Sequence, residues 1–449
     1  MVQSGYFAIR GVIEGFYGLP WSHAERKEML SFMGRHGYNA YFYSPKDDPY
    51  LRDRWPAPHP TQDLLQIDEL IETANSCDLA FYYCLSPGYS MEYSSESHFA
   101  QLCKKYQQMC ERGVSHFGLF FDDIPAALMH EQDKQKFQHL ADAHVQVTLR
   151  LWNELRQWQP NARLVVCPTL YNGRGDEPYI RYLCRHLPTE ILIFWTGRFV
   201  CSPYLTEADS RYFWEQTGHK PLYWDNYPVN DLAMKDELHI GPLQNRDPRL
   251  YVYASGYVAN AMELVESSKI PLYTTAAYLQ DPLGYDAEQA WMQAIQEVAG
   301  VEDREVFLQF ADNVRSSFLS DVESVALMQK LHEFRFHFVY GDPNTGIALL
   351  RRTFKEMEET AAYLLTRMKN RKLAHEVQAW VKKLLAWAQV GKSAVELIDE
   401  GRRGRMMQAA FYLLQLKSRL KQAEQLPHKV CGHVMKLFVN AVLLEVQKR

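Results

Sequence analysis

Apolar residues in this chain come in two rhythms. Over roughly the first 300 residues, short apolar runs alternate with longer segments whose apolar positions recur every three or four residues. The short runs are Ala8–Ile13, Ala40–Tyr43, Leu79–Leu85, Phe117–Phe121, Leu164–Cys167, Ile191–Trp195, Pro221–Trp224 and Leu250–Ala254. Each is too short, and too rich in aromatic and β-branched residues, to be a helix, and reads as a buried strand. Between them the spacing predicts helices, the first opened by a capping box at Ser22 and Glu25 and running to about His36. Others are predicted over 63–76, 95–111, 133–157, 177–186 and 207–217, with one after Asn260 and a last over 286–299. Eight strands alternating with helices predict a parallel sheet, and units of this number and size predict its closure into a (β/α)8 barrel.

The second rhythm is helical throughout. Of 21 prolines only Pro343 and Pro427 lie beyond residue 300, which removes the commonest helix breaker. Three apolar stripes follow at helical spacing: Phe354, Met357, Ala361, Leu364, Leu365 and Met368; Val377, Trp380, Val381, Leu384, Leu385 and Ala388; Met406, Ala409, Ala410, Leu413, Leu416 and Leu420. The predicted class is therefore α/β, with a barrel over 1–300 and a helical bundle over 301–449. From Gly401 onward the chain carries ten Lys or Arg against Glu424 and Glu445, which reads as a solvated helix face.

Charge and cysteines narrow the function classes. A net charge of −5, with 23% charged residues, gives no sign of a nucleic-acid or membrane partner. Eight scattered cysteines without a C-x-x-C pair read as reduced thiols. The N-terminus lacks the basic and apolar regions of a signal peptide, and no run of about 18 apolar residues offers a membrane span, so a cytoplasmic location is expected.

Polar clusters follow the strands rather than precede them, and in a barrel that end is the catalytic face. Gly15, Lys46, Asp122, Asp123, Tyr171, Asn226 and Asn260 are expected to converge there. The sharpest signal is Phe117-Gly-Leu-Phe-Phe-Asp-Asp-Ile124, where two carboxylates end a strand too apolar to bury them. A bend would aim both at one pocket, and two such charges would push one pKa upward. A helix N-cap is the alternative for the Asp-Asp pair. Trp224 to Asp231 brings an indole, amides and carboxylates to one strand end, a set suited to sugar faces and vicinal hydroxyls. A metal is not expected: His332 and His337 are five apart, which spoils zinc geometry, and Lys46 already supplies positive charge beside Asp47 and Asp48. Neither a phosphate loop nor a G-x-S-x-G elbow stands out.

Seven segments together resemble glycoside hydrolase family 84, the protein O-GlcNAcase and hyaluronidase-like β-N-acetylglucosaminidases. They are Gly11-Val-Ile-Glu-Gly-Phe-Tyr-Gly18 with Pro20-Trp21, Ser44-Pro-Lys-Asp-Asp-Pro-Tyr50, Phe121-Asp-Asp-Ile124, Cys167-Pro-Thr-Leu-Tyr171, Trp195-Thr-Gly197, Trp224-Asp-Asn226 through Asn230-Asp231, and Asn260-Ala-Met-Glu leading to Ser268-Lys-Ile-Pro-Leu272 and Tyr278. Ala261 stands where the family often has Pro and Gln280 where Trp is common, departures expected at the pocket's rim. The resemblance implies a cofactor-free retaining β-N-acetylglucosaminidase working by substrate-assisted catalysis. Asp123 would then be the general acid and base, and Asp122 would orient the substrate's acetamide. Tyr171 and Asn226 would hold that amide and Trp224 would wall its pocket. Gly15, Lys46, Asp231 and Asn260 would bind the sugar hydroxyls. The implied partner is a glycoprotein or glycan bearing N-acetylglucosamine, and the helical region offers a surface for a homodimer. A glycan-binding protein without turnover and a metal-dependent hydrolase are the competing classes.

Overall fold

The computed structural model describes residues 6–447, so most of the N-terminal stretch read for a leader lies outside the described residues. Eight strands form a closed barrel in chain order, every neighbour parallel. They alternate with helices: β1 (Ile9–Ile13), α1 (His23–Arg35), β2 (Ala40–Tyr43), α2 (Thr61–Ser76), β3 (Ala80–Leu85), α3 (Glu96–Cys110), β4 (His116–Phe120), α4 (Glu131–Lys136), α5 (Leu140–Trp158), β5 (Arg163–Cys167), α6 (Pro178–His186), β6 (Leu192–Trp195), α7 (Glu207–Thr217), β7 (Pro221–Asp225), β8 (Gly256–Asn260) and α8 (Val265–Gln280). Ile13, Phe42, Cys84, Phe120, Val165, Phe194, Trp224 and Val258 fill the barrel's interior. Phe42 stacks on Tyr82 with ring centres 4.1 Å apart. The barrel is a packed core, and chemistry is left to its rim.

Two predicted elements differ. The eighth strand is Gly256–Asn260, paired with both β7 and β1, while Leu250–Val252 forms a 3-10 turn. A side chain at Gly256 would meet Ile9 Cβ at 2.6 Å and the Ile9 carbonyl oxygen at 2.8 Å. The strand therefore starts on a glycine that looks like a breaker in the sequence. The single helix expected over 133–157 is two, α4 and α5. Phe137 is extended between them, and His139 caps the second by accepting the Asp142 N–H at 3.1 Å. The expected helix N-terminus at Ser22 is a complete capping box. Gln280 is not at the pocket's rim: its amide donates to the His36 carbonyl at 2.6 Å, just before the N-terminal end of β2.

The described residues fall into two compact units. One, reaching to residue 231 and including 243–265 and 272–287, holds the barrel. The other comprises 232–242, 266–271 and the chain from 288 on. Its helices are α9 (Ala287–Ala299), α10 (Arg304–Ala311), α11 (Val325–Tyr340), α12 (Pro343–Thr366), α13 (Arg371–Arg402), α14 (Met406–Gln425) and α15 (Val434–Gln447). The first two apolar stripes lie on α12, with Met368 just past its end, and on α13; they are largely buried, with Phe354, Ala361, Val377 and Ala388 fully so. Arg351 ties these helices by forking onto Glu396 at 2.6 and 2.7 Å. The third stripe, on α14, buries Ala409 and Leu416 but leaves Met406 68% exposed.

Candidate active site

Each expected site residue sits at or just beyond the C-terminal end of a barrel strand. After β1 the chain turns on Glu14, which is fully buried and clamped by both arms of Arg26 at 2.8 Å, the Tyr41 hydroxyl at 2.8 Å and the Trp21 N–H at 3.1 Å. That anchor sets the path of Gly15. Its N–H donates to Asn260 Oδ1 at 3.2 Å, and a Cβ there would lie 2.5 Å from the Trp224 ring. Only glycine lets the backbone approach the indole so closely.

After β4, the Phe121 N–H still bonds the Cys167 carbonyl at 2.8 Å, and its ring stacks on buried His144 at 3.9 Å. The chain then bends at Asp123, whose φ of +56° lies in the left-handed region, a conformation aspartate tolerates better than most residues. Alternation on a regular strand would send the two carboxylates to opposite faces. With the bend, both reach groups of one connected cluster.

Asp122 is buried, and its Oδ2 forms an ion pair with the buried Lys46 ammonium. Its Oδ1 is also buried and has no partner among the described residues. Lys46 lies over the rings of Trp224 and Tyr17, 5.4 and 5.9 Å from their centres. Asp123 is exposed and accepts two phenols, Tyr17 on Oδ2 at 2.6 Å and Tyr171 on Oδ1 at 2.8 Å. The Tyr17 N–H donates to Asp231 at 2.7 Å. Trp224 Nε1 donates to Asn226 Oδ1 at 2.9 Å, and Asn260 Nδ2 donates to the same oxygen at 3.0 Å. All nine expected residues thus belong to one chain of contacts across β1, β2, β4, β5, β7 and β8. Asp47 and Asp48 brace turns, accepting the backbone N–H groups of Gly18 at 3.1 Å and Tyr50 at 2.8 Å.

The electrostatics differ from the sequence expectation. Partial desolvation by its neighbours pushes Asp123 upward, but the charge of Lys46, the Tyr17 and Tyr171 hydroxyls and the charge of Arg52 outweigh it, leaving its pKa below the usual carboxylate value. The like-charge argument fails because a buried lysine stands beside the pair. Burial alone would lower Lys46, yet Asp122 raises it above the ordinary lysine value, so it stays charged. Asp231 is raised, chiefly by burial and further by Asp123, against the opposing Tyr17 N–H. Burial pushes the Tyr17 phenol up to about 12 and Tyr171 well above its ordinary value, so both hydroxyls remain donors.

Sequence reasoning missed three groups. Tyr17 belongs to the segment Gly11–Gly18, whose pattern gives it no role. Arg52, whose Nη1 donates to the Tyr17 hydroxyl at 2.8 Å, gave no signal. The third is the buried pair of Asp225 and Arg246, at 2.7 and 2.8 Å, with the Tyr257 hydroxyl also on Asp225.

Residues 10–312 match the model of the beta-N-acetylglucosaminidase family. The chain belongs to this family, glycoside hydrolase family 84. The stretch matched spans every site residue from Gly15 to Asn260. Residues 327–439 match a second model, the hyaluronidase post-catalytic domain-like family. Among curated relatives, the protein O-GlcNAcase of Rattus norvegicus is 31% identical over 276 residues, 60% of this chain and 29% of that protein. The chain therefore spans less than a third of the length of the curated relatives it matches. Among solved family 84 structures, a mutant of the Thermobaculum terrenum O-GlcNAc hydrolase superposes with a TM-score of 0.93 at 35% identity, covering 99% of this chain and 97% of that one. A structure titled CpGH84B gives 0.87 at 26% identity, covering 98% and 77%.

Proposed function

We propose that this chain is a retaining β-N-acetylglucosaminidase that removes β-linked N-acetylglucosamine from serine or threonine of proteins, by substrate-assisted catalysis. The observation that carries the reading is the unpartnered Oδ1 of Asp122. A buried carboxylate oxygen without a donor costs free energy, and the acetamide N–H of the sugar is the donor that would satisfy it. With Oδ2 fixed by Lys46, Asp122 would pull on that N–H and turn the acetamide oxygen into the nucleophile.

The acetamide oxygen bonds to C1 while the bond from C1 to the aglycone oxygen breaks. Asp123 gives its proton to that oxygen, and Asp122 stabilises the cationic oxazoline-like ring. Asp123, now ionised, takes a proton from water, which attacks C1 and reopens the ring with net retention. Two neighbouring carboxylates on one strand end suit this better than double displacement, which places its two carboxyls about 5–5.5 Å apart across the sugar.

The low pKa of resting Asp123 fits the second step and opposes the first. Tyr171 offers the way out. If its hydroxyl turns to the acetamide oxygen when substrate binds, Asp123 Oδ1 loses a donor and its affinity for a proton rises.

A protein-bound sugar is supported by the names of the relatives, a protein O-GlcNAcase and an O-GlcNAc hydrolase. Eight cysteines without disulfides suit a reducing compartment, and a cytoplasmic location goes with that reading. No helix among the described residues is long and apolar enough to cross a membrane. A homodimer through the helical unit completes the proposal.

The test replaces the acetamide's methyl hydrogens stepwise with fluorine. Turnover is expected to fall from monofluoro to difluoro to trifluoro substrate, and a plain glucoside is expected to be inert. Equal rates across the series, or a glycosyl adduct on any Asp or Glu seen by mass spectrometry at steady state, would overturn the mechanism.

A further inference from the structure

Asp123 does not meet its two phenols on equal terms. Tyr171 Oη has Asp123 as its one hydrogen-bond partner among the described residues. Tyr17 Oη has two, donating to Asp123 Oδ2 at 2.6 Å and accepting from Arg52 Nη1 at 2.8 Å. The guanidinium also lies over the Tyr17 ring, 5.3 Å from its centre. A guanidinium has donors only. Of the two partners, Asp123 alone can take the phenol's single hydrogen, so Arg52 fixes its direction.

From this geometry we infer that Arg52 is a positioning residue acting through Tyr17: it pins Oδ2 of Asp123 as a permanent acceptor and leaves Oδ1 as the oxygen that carries the catalytic proton. A proton on Oδ2 would face the Tyr17 hydrogen, which Arg52 prevents from turning round. A proton on Oδ1 faces only the Tyr171 hydroxyl, which is free to rotate and accept. The two oxygens of one carboxyl are thereby given different work before substrate arrives. The inference rests on the glycosidase reading above and deepens it.

The groups facing Asp123 are Tyr17 from the loop after β1, Lys46 and Arg52 from the loop after β2, Tyr171 and Cys167 from β5 and its loop, Asp231 after β7, and its neighbour Asp122. Lys46, Arg52 and the two phenols favour the carboxylate, in agreement with its lowered pKa. Asp122 and Asp231 oppose them. Loss of Arg52 removes one cation and frees the Tyr17 hydroxyl to rotate, and both changes favour a protonated Asp123.

The experiment is the pH profile of kcat/KM on an alkyl N-acetylglucosaminide, whose basic leaving group makes the protonated acid essential. Because kcat/KM reports the free enzyme, its basic limb follows the acid in the arrangement described. Arg52→Met is expected to move that limb upward by roughly half a unit to one unit, the loss of a charge-favouring hydrogen bond. In a Tyr17→Phe background the same substitution should move it by less than half as much, since the link is gone. Arg52→Lys keeps the charge and a donor, should restore most of the wild-type limb, and serves where the Met variant fails to fold by thermal melting. A limb that stays in place in Arg52→Met, moves downward, or shifts equally with and without Tyr17 overturns the inference. Wild-type protein that leaves the N-acetylglucosaminide intact fails the glycosidase reading instead, so the two failures are told apart.

Discussion

Asp122 and Asp123 are neighbours in sequence and opposites in environment. Asp122 is buried against a lysine and keeps one oxygen unpartnered. Asp123 is exposed at the mouth, held by one hydroxyl that Arg52 pins and by one that can rotate. A buried carboxylate with one oxygen fixed by a lysine is suited to hold its other oxygen toward a developing cation. An exposed one with an exchangeable partner on one oxygen is suited to gain and lose a proton, and this difference in surroundings assigns the roles within the pair. Asp123→Asn should therefore lose acid catalysis selectively. On an alkyl N-acetylglucosaminide the loss should be about 10²–10⁴-fold, the usual span for a general acid. On the dinitrophenyl compound, whose oxygen leaves without a proton, the first step should be nearly spared. The values of kcat/KM on the two substrates, which cover only the steps through departure of the aglycone, decide it, and equal losses would move the acid elsewhere.

At the scale of elements, the rim is held by buried ion pairs that tie strand ends to the loops around them. Glu14 beyond β1 is clamped by Arg26 of α1, and Asp225 at the end of β7 by Arg246. Arg246 also donates to the Ser202 carbonyl at 3.2 Å, joining the loop after β6 to β7. Both partners of the second pair are almost wholly buried, with side chains 1% exposed. Arg246→Leu would strand the Asp225 charge and should cost about 3–5 kcal/mol of stability. Asp225→Asn in that background should recover part of it, because the uncompensated charge is then gone. Denaturant midpoints of the two variants check both statements, and a single variant within about 1 kcal/mol of wild type would refute the first. These pairs show where legibility in the sequence ends. The strand-end positions of Gly15, Lys46, Asp122 and Asn226 follow from local patterns, because a short apolar run and the polar cluster after it are contiguous. Arg246 lies 21 residues from Asp225, and Arg52 lies 35 from Tyr17. Their pairing is made where long loops fold back on the rim, which no local period encodes. The misplaced eighth strand comes from a contact more distant still in sequence, since Gly256 is required by the proximity of Ile9 on β1, the neighbouring strand once the barrel closes.

At the scale of the molecule, the two rhythms of the sequence correspond to two kinds of packing. In the barrel, short strands fill a closed interior. In the helical unit, two apolar stripes are largely covered and the third only in part, although all three have the same period. Outside that stripe, α14 exposes Met407 at 85%, Phe411 at 60% and Leu414 at 70%. Phe336 and Tyr340 on α11, at 61% and 81%, and Leu437 on α15, at 68%, add to the exposed apolar surface. α11, α13, α14 and α15 also line an open cavity of about 860 Å³, with Phe334, Phe338 and Leu397 among its walls. Exposed apolar surface on this scale marks a partner site more often than a bare face. A second copy of the chain is the partner proposed here, and a stable interface between copies requires roughly 1,200–2,000 Å² of total buried surface. Sedimentation equilibrium at micromolar concentration should accordingly give twice the chain mass of 52.4 kDa. Met407→Asp with Leu437→Asp places charges on two exposed positions that leave the helices' own buried contacts intact. That double variant should sediment as a monomer with unchanged helical circular dichroism, because the charges oppose desolvation of the interface and not folding of the bundle. Wild-type protein that stays monomeric at every concentration, or a double variant that still dimerises, would remove the helical unit as the dimer surface.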